Sequence, residues 1–153
     1  MDKVDLITKN KPTFSNWAVD GVFFGLIAGV IMFLGISALA MIAGIAPGKV
    51  LEYFSPNGPI SPIQGFFSHL AVSAVYGILF GLLIWSNLQR FLSTTFAGWF
   101  GGLGYSILIL VLAQVAILPE INSPLLELPF WVWAVGHGLY GLVLGGLFAR
   151  KAA

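Results

Sequence analysis

Residues 63–85 read IQGFFSHLAVSAVYGILFGLLIW, a run of 23 positions without a formal charge. A helix rises about 1.5 Å per residue, so this run reaches across the ~30 Å hydrocarbon core of a bilayer. It does not alternate in polarity, as a barrel strand must. Lipid offers no water to bond the peptide groups, so such a run can cross it only as a helix. Three further runs share this character: Val19–Ile45, interrupted only by Asp20, then Phe96–Leu118 and Phe130–Ala149. The expected spans are residues 17–45, 63–86, 95–118 and 129–150, forming one all-α integral membrane four-helix bundle at 16–153 behind a polar cytoplasmic tail at 1–15.

The composition agrees with this reading. Apolar residues make up 58% and charged residues 8% of the chain, against about 25% charged in soluble domains. Mean hydropathy is +0.95. Seven basic and six acidic side chains could not cover a water-exposed surface, so membrane lipid is the expected surround. A net charge of +1, with no basic run interleaved with aromatics, argues against a nucleic-acid partner. Cysteine is absent, which excludes disulfides, thiolate metal centres and thiol catalysis. No other metal site or catalytic group is expected. The first run carries small residues near its end as a signal peptide would, but it is too long for one and is read as retained.

Orientation follows from the basic residues. Lys3, Lys9, Lys11, Arg90, Arg150 and Lys151 fall on one side and Lys49 on the other, so both termini are expected in the cytoplasm. Trp17 and Trp85 would then mark the inner interface, and Trp131 and Trp133 the outer one. The outer loops, Ala46–Pro62 and Pro119–Pro129, are rich in proline and suit ordered, non-helical connections. The inner loop is short, so the second and third spans should be antiparallel neighbours.

The chain also looks duplicated, as two tandem helix hairpins in a parallel internal repeat. Tyr76-Gly77-Ile78-Leu79-Phe80-Gly81 matches Tyr140-Gly141-Leu142-Val143-Leu144-Gly145, and Gly25 and Gly29 have counterparts in Gly98 and Gly102. Small residues recur every four positions: Gly21, Gly25 and Gly29; Ser73, Gly77 and Gly81; Gly98, Gly102 and Ser106; Gly141, Gly145 and Ala149. Such stripes let helix backbones approach closely, which drives association in lipid. They would hold the bundle together or, where one faces outward, dock another membrane subunit.

His69 continues the stripe of the second span by one turn and His137 that of the fourth. Two imidazoles on parallel helices could ligate a b-type haem, with Gly136 and Gly138 leaving room, or could serve as hydrogen-bonding glue between helices. Counted from the outer ends of their helices, the two histidines lie at similar depth in the outer half; aligned on the Tyr-Gly pairs, they differ by four residues. Asp20 is the only acid inside an apolar run and is a candidate proton site, or an interfacial cap near the helix start. Gln114 is expected to bond across to another helix. Ser68 adjoins His69, but helix neighbours point about 100° apart and do not form a nucleophile–base pair.

The last span, with His137, Tyr140, Gly141 and Gly145, resembles a motif of small uncharacterised bacterial four-helix integral membrane proteins. Those read His-x-x-Tyr-Gly-x-x-x-Gly there and end the third helix in an apolar stretch leading into Leu-Pro, as Ile117-Leu118-Pro119 does. The resemblance implies the four-helix architecture and a bacterial inner (plasma) membrane, but no particular activity. Three functions are weighed. The first is a non-catalytic accessory subunit of a respiratory or photosynthetic complex, without cofactor and bound to its partners through glycine-lined faces. The second is a haem b electron-transfer protein using His69 and His137. The third is a small proton or solute transporter using Asp20, Gln114 and the histidines.

Overall fold

The computed structural model describes residues 14–55 and 61–152. The expected tail at 1–15 lies outside these residues except for Phe14 and Ser15, which already belong to the first helix. Among the described residues five α-helices follow one another: α1 Phe14–Ile42, α2 Pro47–Tyr53, α3 Pro62–Leu88, α4 Thr94–Glu120 and α5 Phe130–Ala152. α1, α3, α4 and α5 are each long and apolar enough to cross a bilayer. Phe23, Phe67, Phe100 and Val115 stand exposed on their outer sides, a surface suited to lipid rather than water. The protein is an all-α, multi-pass membrane bundle.

α1 and α4 stop in the same way. Gly44 takes a φ of +80° and Asn122 one of +47°, left-handed conformations that glycine and asparagine tolerate best. Beyond them the Ile45 amide donates to Ala40 O at 2.9 Å and the Ser123 amide to Leu118 O at 3.0 Å, which satisfies carbonyls the helix end leaves open. The connection after α1 is not the non-helical one expected. Pro47 follows an extended Ala46 (φ −65°, ψ 142°) and starts α2, because proline at the first helical position lacks only an amide that would be unpaired anyway.

The two hairpins repeat one contact. A Cβ on Gly77 would collide with Gly21 O and lie 2.7 Å from Gly25 Cα; a Cβ on Gly145 would collide with Gly98 O and lie 3.1 Å from Gly102 Cα. α1 and α3 therefore touch backbone to backbone, as do α4 and α5. One turn along, Gly29 abuts the Ser73 hydroxymethyl and Gly141 abuts that of Ser106. Each seam thus holds one serine against one glycine, with the sides exchanged between the hairpins. Gly77 corresponds to Gly145, not to Gly141 as the Tyr-Gly pairs suggested. In this register His69 and His137 are equivalent, each four residues before its seam residue, Ser73 or Gly141.

The same register accounts for an irregular turn in α4. The glycines of α1 and α4 correspond with a separation of 77 residues, whereas the terminating residues Gly44 and Asn122 are 78 apart. The extra residue is taken up where α4 widens into a π-helical turn at Ala113–Ile117, the usual result of a one-residue insertion.

α1 and α5 pack against each other in the middle, so the order around the bundle is α3, α1, α5, α4. Near the termini the aromatic rings of Phe24, Phe80 and Trp85 lie 5.1, 5.3 and 5.6 Å from that of Phe148, filling that half of the bundle. The second and third spans are neighbours only there. The π-helical turn of α3, Phe80–Trp85, touches α4, and the Tyr105 hydroxyl donates to Tyr76 O at 2.8 Å. Past Tyr105 the two helices diverge. Trp85 and Trp133 are not interfacial anchors either: both are buried, the first on Phe148 and the second donating to Leu125 O at 3.0 Å.

Candidate functional site

Where α3 and α4 separate, a cavity of about 440 Å³ opens at the end of the bundle away from the described chain ends. This size is typical of small-molecule sites. Its sides are formed by Ser68 and Val72 of α3 and by Ile109 and Ala113 of α4; Met32 of α1 and Tyr140 of α5 close the back. The end of α2 and the residues after it, Tyr53 to Ser55, and the α4–α5 link around Ser123 form a roof. Val72 and Ile117 line the cavity yet are also exposed on the outer sides of α3 and α4. The cavity is thus open beside these residues of two helices long and apolar enough to cross a bilayer.

The roof is tied down by groups far apart in sequence. The Tyr53 hydroxyl donates to Glu127 Oε2 at 2.8 Å across 74 residues. This bond to the carboxylate, followed by burial, raises the Tyr53 phenol above its ordinary value of 10.0, so it remains a donor at physiological pH. α2 rests on α3 at Gly65, where any Cβ would strike Leu51 O. Glu52 is engaged by Lys49 at 3.3 Å.

Both histidines line this cavity and are buried, at 6% and 4% exposure. His69 Nε2 lies 2.9 Å from Gly29 O, and His137 Nδ1 lies 3.0 Å from Trp133 O. A carbonyl oxygen only accepts, so in each ring the nitrogen that faces it carries the hydrogen. The equivalent positions thus differ: His69 bonds across to α1, whereas His137 turns back on its own helix. Rings continue from one to the other, with Phe54 4.6 Å from His69 and 6.1 Å from Trp133, and Trp133 5.3 Å from His137. The cavity hydroxyls point away from it in part: Ser73 donates to His69 O at 2.8 Å and Tyr140 to Ser73 O at 2.7 Å. Ser55 Oγ is buried on the lining without a partner among the described residues.

The other expected site residues lie elsewhere. Asp20 is in the second turn of α1, not at its cap, and meets Lys151 at 2.5 Å at the end of the bundle opposite the cavity. Gln114 does not bond to another helix; its Nε2 is buried without a partner among the described residues. Gly21, Gly25, Gly29, Ser73, Gly77 and Gly81 face one another across α1 and α3, with Trp17 O against Gly81, and Gly98, Gly102, Gly141 and Gly145 do so across α4 and α5. Each stripe is covered from within the chain. Sequence reasoning missed Tyr53, Phe54 and Ser55, which lie in a polar-looking loop whose reach over the cavity is set by tertiary packing alone.

No family model, curated protein or solved structure matches the chain. Among the described residues no three His, Asp or Glu side chains gather as a metal site would require.

Proposed function

We propose that the protein binds a small lipid-soluble molecule, taken up sideways from the bilayer into the cavity between α3 and α4. The observation that carries this reading is the cavity itself: roofed, lined by two imidazoles and a wall of aromatic rings, with its mouth on lipid-facing helix sides. The test places purified protein in nanodiscs and titrates p-dibromobenzene, whose bromines quench a nearby indole. Trp133 should be quenched saturably, and the saturable component should vanish in Ala113→Trp, which fills the cavity, and in Trp133→Phe. Quenching that only tracks partitioning into lipid would refute the proposal.

The accessory-subunit reading drew on glycine stripes left over for a partner, and stripes that cover one another supply no such surface. A haem b between His69 and His137 is favoured by their sharing one cavity, but among the described residues no Arg or Lys lines it to receive propionates. A reduced-minus-oxidised spectrum without a b-type band disposes of it. Transport fits less well, because Asp20 lies at the opposite end and the rings around Phe148 fill the path between. For orientation, Arg90, Arg150 and Lys151 at one end against Lys49 at the other favour cytoplasmic termini. The cavity would then lie in the outer leaflet of a bacterial inner membrane.

A further inference from the structure

We infer that the ligand of this cavity is a hydroxylated aromatic molecule, a phenol or quinol, whose hydroxyl hydrogens are accepted by His69 Nδ1 and His137 Nε2. The inference rests on the binding role proposed above and adds the chemistry of the ligand.

A neutral imidazole has one N–H donor and one lone pair. Neutrality follows from the surroundings: among the described residues no Asp or Glu lines the cavity, and a buried charge without a partner is strongly disfavoured. Gly29 O and Trp133 O take up the donors, on Nε2 of His69 and Nδ1 of His137. The lone pair must then sit on Nδ1 of His69 and Nε2 of His137. Neither nitrogen receives a hydrogen bond from any described residue, since Ser73 and Tyr140 direct their hydrogens to main-chain carbonyls and Tyr53 directs its own to Glu127. The histidine end of the cavity therefore presents acceptors in need of donors.

This excludes several occupants. A quinone or other carbonyl compound would set lone pairs against lone pairs. Among the described residues an anion would find no basic side chain on the lining, and a metal ion would find two ligating side chains where three or more are usual. A hydroxylated ring meets both requirements at once. Its hydrogens reach the imidazole lone pairs, and its faces and edges pack against Phe54 and Trp133 as aromatic pairs do. Ser55 Oγ, buried without a partner on the roof, offers a further polar contact. A volume of about 440 Å³ gives ample room for a substituted ring.

The experiment uses the full chain in nanodiscs and reads saturable quenching of Trp133. Bromohydroquinone is compared with its dimethyl ether, which keeps the ring and the bromine but has no hydrogen to donate, after correcting each for partitioning into lipid. The hydroquinone should bind about tenfold more tightly, the worth of a hydrogen bond to an otherwise unmet acceptor. His69→Leu and His137→Leu should each reduce that ratio and leave the ether's affinity within about twofold. Equal affinities in the unmutated protein would overturn the inference while leaving the cavity reading intact. If neither compound nor p-dibromobenzene quenches saturably, the cavity reading falls as well. An unchanged ratio in both variants would also overturn the inference, because the preference would then arise elsewhere.

Discussion

Gly145→Ala and Gly138→Ala place the same methyl group on the same helix and should have opposite effects. At Gly145 the new Cβ would collide with Gly98 O and come within 2.8 Å of Gly98 C and 3.1 Å of Gly102 Cα. Every one of these atoms is backbone, so relief requires α4 and α5 to move apart. Ordinary carbon contact begins near ~3.5 Å, which demands a separation of more than about half an ångström along a seam that includes Gly98, Gly102, Ser106 and Gly141. A gap of that size forfeits about a quarter to a half of each contact it opens. Overpacking of this kind typically costs about 1–3 kcal/mol, and the better helix propensity of alanine returns about 0.8–1.0 kcal/mol. The net expectation for Gly145→Ala is a loss of up to about 2 kcal/mol. At Gly138 a Cβ meets nothing within 4 Å, so only the propensity gain remains and stability should hold or rise. Unfolding in mixed micelles with increasing SDS, followed by tryptophan fluorescence, measures both. Equal shifts in the two variants, or an unaffected Gly145→Ala, would refute the claim that this glycine seam is in backbone contact.

Three further outcomes follow from the structure. Phe148→Ala removes the ring at the centre of the Phe24, Phe80 and Trp85 cluster and should destabilise the bundle by about 3–5 kcal/mol in the same SDS titration. Gln114→Leu deletes a buried amide nitrogen that has no partner among the described residues; it should leave the midpoint unchanged or raise it, because an unmet buried donor costs about 1–3 kcal/mol. The Tyr53–Glu127 tie has a defined pH window. The folded phenol titrates above 10.0, so its stabilisation is present at lower pH and is lost as pH rises from 10.0 through the higher folded value. Hydrogen exchange at residues 51–55 should therefore quicken above that pH in the unmutated protein, whereas in Tyr53→Phe it should be fast throughout.

The histidines show best how far the chain could be read in advance. Their place one turn along from a small-residue stripe put them at a helix contact, and that follows from the four-residue spacing alone. Counting from the outer ends of their helices put them at similar depth, but the register did not follow, because Tyr76-Gly77 resembles Tyr140-Gly141 more closely than the true counterparts resemble each other. Only the seam, with Ser73 opposing Gly29 and Ser106 opposing Gly141, revealed the register. Asp20 was recognised as exceptional from its neighbours, but its partner Lys151 lies 131 residues away, and no local pattern encodes such a pairing.

The number, length and helical state of the four spans were settled by the chain's own chemistry, since peptide groups in lipid must bond within their segment whatever surrounds them. Which helices touch, and where they part, depended on matching surfaces between segments distant in sequence. The cavity belongs to this second kind of information. It exists because α1 and α5 hold α3 and α4 through glycine seams while the π-helical turn of α3 and Tyr105 meet on one side only, leaving the histidine end open beneath a roof tied by Tyr53 and Glu127.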